Sequence, residues 1–202
     1  MTRPHHRPAL PGARHFEALT GGTDPAEARE AADRLATLLV RGRRGVEDEA
    51  VVARVVALAE DEGLEVLADL WAGSPADSLA GALWRLYLLH EWVQRTPEEV
   101  GRLFSAGVGH AEVYGAIVGV QQPPDPQALR RLTEEILTGI FSGDLAIALE
   151  RAGAFCQVMA VGLVEPGVED IPPEQSRRAA RMRDTADDLV ACARLWRKGD
   201  LH

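Results

Sequence analysis

Apolar residues recur every third or fourth position along most of this chain. Between a Thr-Asp-Pro start at 23–25 and the RGRRG run at 41–45, Ala28, Ala31, Leu35 and Leu38 keep this spacing. It places apolar side chains on one face of an amphipathic helix. Similar segments fill the rest of the chain, and no convincing strand pattern interrupts them. The sequence therefore predicts an all-α fold, a single-domain bundle of eight or nine helices.

Proline, serine, threonine and glycine mark the ends of these helices. The first predicted segment begins at 23–25 and is ended by the run at 41–45, and the others are 46–62, 64–72, 75–95, 96–104, 126–141, 144–164 and 173–198. The stretch 107–120, GVGHAEVYGAIVGV, is ambiguous, because four glycines weaken a helix and its valines suit a strand. We favour a ninth helix there, since the neighbouring segments are helical.

The segment 75–95 is rich in aromatic residues, and little of its circumference is polar. Ser74 and Pro75 give it a capping start. A helix that is apolar nearly all round is buried on several sides. We therefore predict that 75–95 is the central helix, with 144–164 and 173–198 packed against it.

Residues 1–22 form a predicted basic N-terminal arm, and residues 23–202 form the helical domain. The arm carries three arginines and three histidines before its first acid, Glu17. A solvated terminus and an anion-binding arm are both compatible with this composition. The QQPPD stretch at 121–125 is a possible hinge within the domain.

Charge narrows the range of partners. The chain has 22 Lys and Arg against 31 Asp and Glu, a net charge of −9, which makes nucleic-acid and anionic-membrane binding unlikely classes. The apolar stretch Leu145 to Val164 contains Glu150 and Arg151, which favours a core helix over a membrane span. Cys156 and Cys192 lie in apolar stretches, as free thiols of a cytoplasmic protein do, although a single bridge between them stays open.

No known catalytic or metal motif is present. The chain lacks Glu-x-x-His pairs, HExxH and G-x-S-x-G, and the GVG at 107–109 is too short for a phosphate loop. We therefore expect no catalytic residue, no metal and no cofactor. The stretch 96–118 has the outline of a helix-turn-helix, but its second helix offers His110 and Glu112 and neither Arg nor Lys.

Two groups of residues are candidates for binding. Ligand pockets combine aromatic walls with a few polar groups. The first candidate is therefore a ligand pocket near His90, formed by Trp84, Arg85, Tyr87, His90, Glu91 and Trp92. A satisfied hydrogen bond of the core is the alternative for His90. The second group is a basic cluster that could dock an acidic partner, formed by Arg177, Arg178 and Arg181. The alternative there is a solvated face neutralised by Asp184, Asp187 and Asp188.

The phrases SLAGALWRLYLLHEWVQR and LTGIFSGDLAIALERAGAFCQVMA resemble a family of small, Arg- and Ala-rich, all-helical bacterial proteins with no established activity. Some of its members carry the label DNA-directed RNA polymerase subunit beta. The resemblance covers roughly residues 70–164 and includes no catalytic motif, so it implies no site residues. It leaves open a transcription-associated role.

Three hypotheses follow from the sequence. The first is a non-enzymatic cytoplasmic helical protein that acts through a protein partner or by self-association, which predicts an exposed apolar patch. The second is a small-molecule-binding protein or enzyme with a pocket near His90. The third is a transcription-associated DNA-binding protein that uses 96–118 or the arm.

Overall fold

The computed structural model describes residues 25–41, 68, 70–119, 125–142, 145–164 and 170–202. These residues form seven α-helices and, within the described ranges, no strand. The helices are α1 (Pro25–Arg41), α2 (Leu79–Arg95), α3 (Pro97–Val108), α4 (Glu112–Val118), α5 (Pro126–Ser142), α6 (Leu145–Leu163) and α7 (Pro173–Lys198).

The prediction of an all-α fold is confirmed, while the helix count is seven in the described part and not eight or nine. The predicted helix at 46–62 lies outside the described residues, as do the arm at 1–22 and residues 121–124 of the possible hinge. Of the predicted helix 64–72, residues 68 and 70–72 are described.

The central helix is α6. It packs lengthwise against α7 and also contacts α3, α4 and α5. Its sequence is rich in alanine and glycine and is buried along nearly its whole length. The prediction that 75–95 is central was wrong, because α2 lies mainly beside α1, α5 and α7 and has little contact with α6.

Glycine lets α3 and α6 touch backbone to backbone. A Cβ atom at Gly107 would lie 2.0 Å from the Val158 carbonyl oxygen, and one at Gly162 would lie 1.9 Å from the Leu103 carbonyl oxygen. Any other side chain would force the two helices apart. Of the four glycines that made 107–120 ambiguous in sequence, Gly107 is therefore a packing residue.

The described part of the ambiguous stretch, residues 107–119, is mainly helical with one interruption. Residues Gly109 and His110 form a turn after α3, and α4 begins at Glu112. The chain leaves α4 at Gly119, whose φ of 76° is in the left-handed region that favours glycine. The choice of helix over strand is confirmed for the described residues 107–119.

The start of α2 differs from its prediction. Ser78 is the N-cap, and its hydroxyl accepts a hydrogen bond from the Gly81 amide at 3.0 Å. The proposed cap at Ser74 and Pro75 instead belongs to a turn that folds back on the helix, and the Pro75 carbonyl accepts from the Ser78 hydroxyl at 2.9 Å. Two capping signatures lie close together in the sequence, and the later one starts the helix.

Residues 199–202 follow α7 and contact the start of α2 and the end of α1. After α7 the chain turns at Gly199, and Leu201 is fully buried. The Leu79 amide donates to the His202 carbonyl at 2.8 Å, and the Arg41 guanidinium donates to the Leu201 carbonyl at 3.1 Å. These contacts tie α1, α2 and α7 together.

Candidate functional site

The six residues proposed for a ligand pocket on α2 are all half-buried, but they face different neighbours. Arg85 binds Asp188 of α7 at 3.2 Å, and Glu91 binds Arg95 of its own helix at 2.7 Å. Trp84 stacks on Tyr87 with ring centroids 6.0 Å apart, and Trp92 packs against the core. Because successive helical residues lie about 100° apart, these side chains spread around α2.

His90 belongs to a polar joint between α2 and α5. Its Nδ1 atom lies 3.3 Å from the hydroxyl oxygen of Thr133, which is itself buried. The Thr133 hydroxyl donates to the Arg130 carbonyl at 2.9 Å. Since that hydroxyl proton is committed, His90 Nδ1–H is the donor in the first bond. Burial lowers the pKa of His90, and the nearby carboxylates of Glu91 and Glu134 partly oppose this.

Two more side chains complete this joint. Arg130 donates through Nη2 to the Gln94 carbonyl at 3.1 Å. The Arg130 Nε and Gln94 Nε2 atoms are buried without a hydrogen-bond partner. Buried donors of this kind are rare and call for an acceptor, which is commonly an ordered water. Gln94, Arg130 and Thr133 were not predicted from the sequence, although Thr133 lies at helical spacing between the apolar residues Leu129 and Ile136.

The predicted basic cluster forms the N-terminal half of α7. Arg177 binds Glu174 at 3.1 Å and Arg178 binds Glu99 of α3 at 3.3 Å, while Arg181 lies 3.7 Å from Glu174. Glu174 and Glu99 thus take the place that the sequence reading gave to the aspartates after Arg183. Two of those aspartates face other residues: Asp188 pairs with Arg85, and Asp187 accepts from Gln157.

Two of these arginines border a shallow groove of about 180 Å³ between the end of α6 and α7. We call it the arginine groove, and its lining residues are Leu163, Arg178, Arg181, Met182 and Thr185. Leu163 is buried and Met182 is half-buried, so the groove combines an apolar floor with a cationic rim. Arg178 and Arg181 belong to the predicted basic cluster, whereas Leu163, Met182 and Thr185 were not predicted.

The short helix α4 exposes large apolar side chains. Val113 is 73%, Tyr114 42% and Ile117 47% exposed, and we call these three residues the α4 apolar face. Val118, the residue after Ile117, is buried, and the Arg151 guanidinium donates to the Val118 carbonyl at 3.3 Å. The surface that a recognition helix would turn to DNA is therefore apolar in this protein.

The two cysteines are free and buried. Burial raises the pKa of Cys156 to about 12 and that of Cys192 to about 11, so both thiols are protonated and weakly nucleophilic. The Cys192 thiol donates to the Ala76 carbonyl at 3.2 Å. Among the described residues, no three His, Cys, Asp or Glu side chains come together in a way that could hold a metal ion.

Among the helices in the described ranges, α6 is the one long and apolar enough to cross a membrane by length and composition. Its apolar surface is largely covered by the neighbouring helices in this structure. No protein-family model matches the chain. No curated protein and no solved structure matches it either.

Proposed function

We propose that this chain is a cytoplasmic, non-enzymatic helical protein that acts by self-association, with the α4 apolar face as its contact surface. The observation that carries the proposal is the joint exposure of Val113, Tyr114 and Ile117. Their positions on the helix span an arc of about 100°. Large apolar side chains grouped on one exposed face are typical of interaction surfaces.

The charge distribution favours the α4 apolar face as the interface between two copies of the chain. Each copy carries a net charge of −9, so two copies repel one another as they approach. An interface is therefore least costly where charge is absent. The three side chains of the α4 apolar face are uncharged, and Glu112 projects about 100° away from Val113 around the helix. A two-fold axis through this face would bring apolar side chains together without opposing carboxylates.

The rest of the structure holds α4 in place. A Cβ atom at Gly115 would lie 2.6 Å from the Val108 side chain, so α4 folds tightly against the end of α3. Arg151 binds the carbonyl of Val118 and also lies 3.3 Å from Glu135 of α5. A surface that is already ordered loses little conformational entropy on binding. The face is smaller than the roughly 800 Å² per partner of a standard interface, so we expect a weak dimer.

Sedimentation velocity over a concentration series of roughly 10 to 500 µM tests this proposal. Ile117→Ser should abolish the concentration-dependent dimer. Leu88→Ser is the matched control, because Leu88 is 46% exposed against 47% for Ile117 but lies on α2. We expect the control to dimerise like the wild type. A wild-type monomer throughout the series, or equal behaviour of the two variants, would overturn the proposal.

A small molecule bound beside His90 is the second candidate function. The unpartnered Arg130 Nε and Gln94 Nε2 donors favour it, because a ligand with acceptor oxygens would satisfy both. A thermal-shift screen of small carboxylates and phosphates against the wild type and Arg130→Met tests the idea. We expect a ligand-dependent rise in Tm in the wild type that the variant loses. A screen that moves neither protein would remove this candidate.

A further inference from the structure

We infer that the arginine groove docks an acidic segment of a partner protein, and that this segment inserts one apolar side chain between its flanking carboxylates. The inference concerns a different surface from the α4 apolar face. It stands on the shape, the floor and the charge of the groove.

The size of the groove limits what it holds. Its volume of about 180 Å³ is below the roughly 300 Å³ at which pockets for drug-sized ligands begin. A single side chain fits this volume better than a cofactor does. The floor suits an apolar side chain, since Leu163 and Met182 supply it and methionine adapts its shape to what it contacts.

Among the described residues, the lining of the groove includes two arginines and no acidic residue. Three guanidinium groups, those of Arg177, Arg178 and Arg181, share the two carboxylates of Glu174 and Glu99. Arg181 is the least well paired, at 3.7 Å from a carboxylate that Arg177 already binds at 3.1 Å. Asp184 follows Arg181 by three residues and therefore lies on the same side of α7, but it is not among the residues that line the groove.

This cationic lining is a local feature, because the chain as a whole is acidic. The side chains of Arg178 and Arg181 are 40% and 65% exposed, so their guanidinium groups are accessible to new carboxylates. Arginine binds carboxylates with two parallel hydrogen bonds, which gives direction as well as affinity. Clusters of arginine are a recurrent means of recognising acidic peptide motifs. A nucleic acid is the less favoured partner, because the net charge of −9 opposes a polyanion that extends beyond the groove.

The test is a titration of the ¹⁵N-labelled full-length protein with the peptide acetyl-Glu-Glu-Leu-Glu-Glu-amide, followed by amide chemical shifts. We expect saturable binding with shifts at Met182 and Thr185. The double variant Arg178→Gln/Arg181→Gln should bind about tenfold more weakly or worse. The matched control is Arg183→Gln/Arg194→Gln, which removes the same charge from exposed positions of α7 outside the groove and should stay within about twofold of the wild type.

Four outcomes would overturn the inference. These are the absence of saturable binding, equal weakening in both double variants, equal affinity for a peptide with serine in place of leucine, and tighter binding of a short DNA duplex than of the acidic peptide. Unchanged thermal unfolding of both double variants would show that a loss of binding is not a loss of fold.

Discussion

Helices α2 and α6 are both apolar and similar in length, with 17 and 19 residues, yet they occupy different places in the bundle. Helix α6 has five alanines and two glycines among its 19 residues and is buried on almost every side. Helix α2 carries Trp84, Tyr87 and Trp92, which stay half-buried. Small residues let several helices approach one backbone, whereas large rings keep their neighbours at a distance. The central helix of this bundle is therefore the one with more small residues, and not the one with the largest number of aromatic side chains.

The first way to sharpen this comparison is to truncate one aromatic ring from each helix. Phe155 of α6 is fully buried and stacks on Phe104 with ring centroids 5.6 Å apart. Phe155→Ala should lower the free energy of unfolding by about 3–5 kcal/mol, because it leaves a cavity in a packed core. Trp84→Ala should cost less than half of that, since Trp84 is only half-buried. Urea unfolding followed by circular dichroism measures both changes, and equal losses would contradict the comparison.

A single added methyl group tests whether backbone contact makes α6 central. At Gly162 the new Cβ atom would lie 1.9 Å from the Leu103 carbonyl oxygen, so α3 has to move. We expect Gly162→Ala to cost about 3 kcal/mol, the upper end of the usual range for overpacking. Gly109→Ala is the control, because nothing lies within 4 Å of its Cβ position and its φ of −63° suits alanine. That control should be neutral or slightly stabilising, and a comparable loss in both variants would refute the close crossing.

Sequence periodicity and capping predicted the helices well. The bounds of α7 agree with the prediction of 173–198, because a proline start and a glycine end are unambiguous there. The start of α2 was missed because Ser74 and Ser78 both look like caps, and the contacts of Pro75 with the helix decide between them. The central position of α6 was not predicted, because the prediction followed the large aromatic side chains of 75–95 and not the small residues of 144–164.

The candidate sites could be predicted less completely. Arg178 and Arg181 were recognisable as a cluster, but Glu99 lies 79 positions before Arg178 and meets it through tertiary packing. The exposure of Val113, Tyr114 and Ile117 was not predictable in detail, since apolar residues on a helix usually indicate core. The packing of α4 against α6 determines which side stays uncovered.

A substitution in the polar joint between α2 and α5 should lower the free energy of unfolding by less than a substitution in the core around α6. Thr133→Val keeps the shape of the side chain but leaves the His90 Nδ1–H without its acceptor. We expect a loss of about 1 kcal/mol in the free energy of unfolding, which is typical for one buried hydrogen bond. Thr37→Val is the matched control, because the Thr37 hydroxyl also donates to a carbonyl of its own helix, that of Asp33 at 2.8 Å, and receives no bond from a histidine. Equal losses in the two variants would show that the bond to His90 contributes nothing.

Acidification should weaken the polar joint between α2 and α5, because this joint contains His90. The apolar side chains packed around α6 do not titrate, so their contribution should not change with pH. Burial lowers the pKa of His90 below its ordinary value of 6.5, against the smaller opposing influence of Glu91 and Glu134. As the pH falls below 6.5, the unfolded chain therefore binds more protons than the folded protein. The contribution of the neutral His90 to stability is present above pH 6.5 and is lost on acidification toward the folded-state pKa.

We expect His90→Gln to lose less stability than the wild type between about pH 7.5 and about pH 5.5 in urea unfolding. His110→Gln, at an exposed position in the turn before α4, should keep the wild-type dependence. If the His90 and His110 variants respond alike, the joint is not the acid-sensitive part of the bundle, and the contrast between α2 and α6 reduces to packing alone.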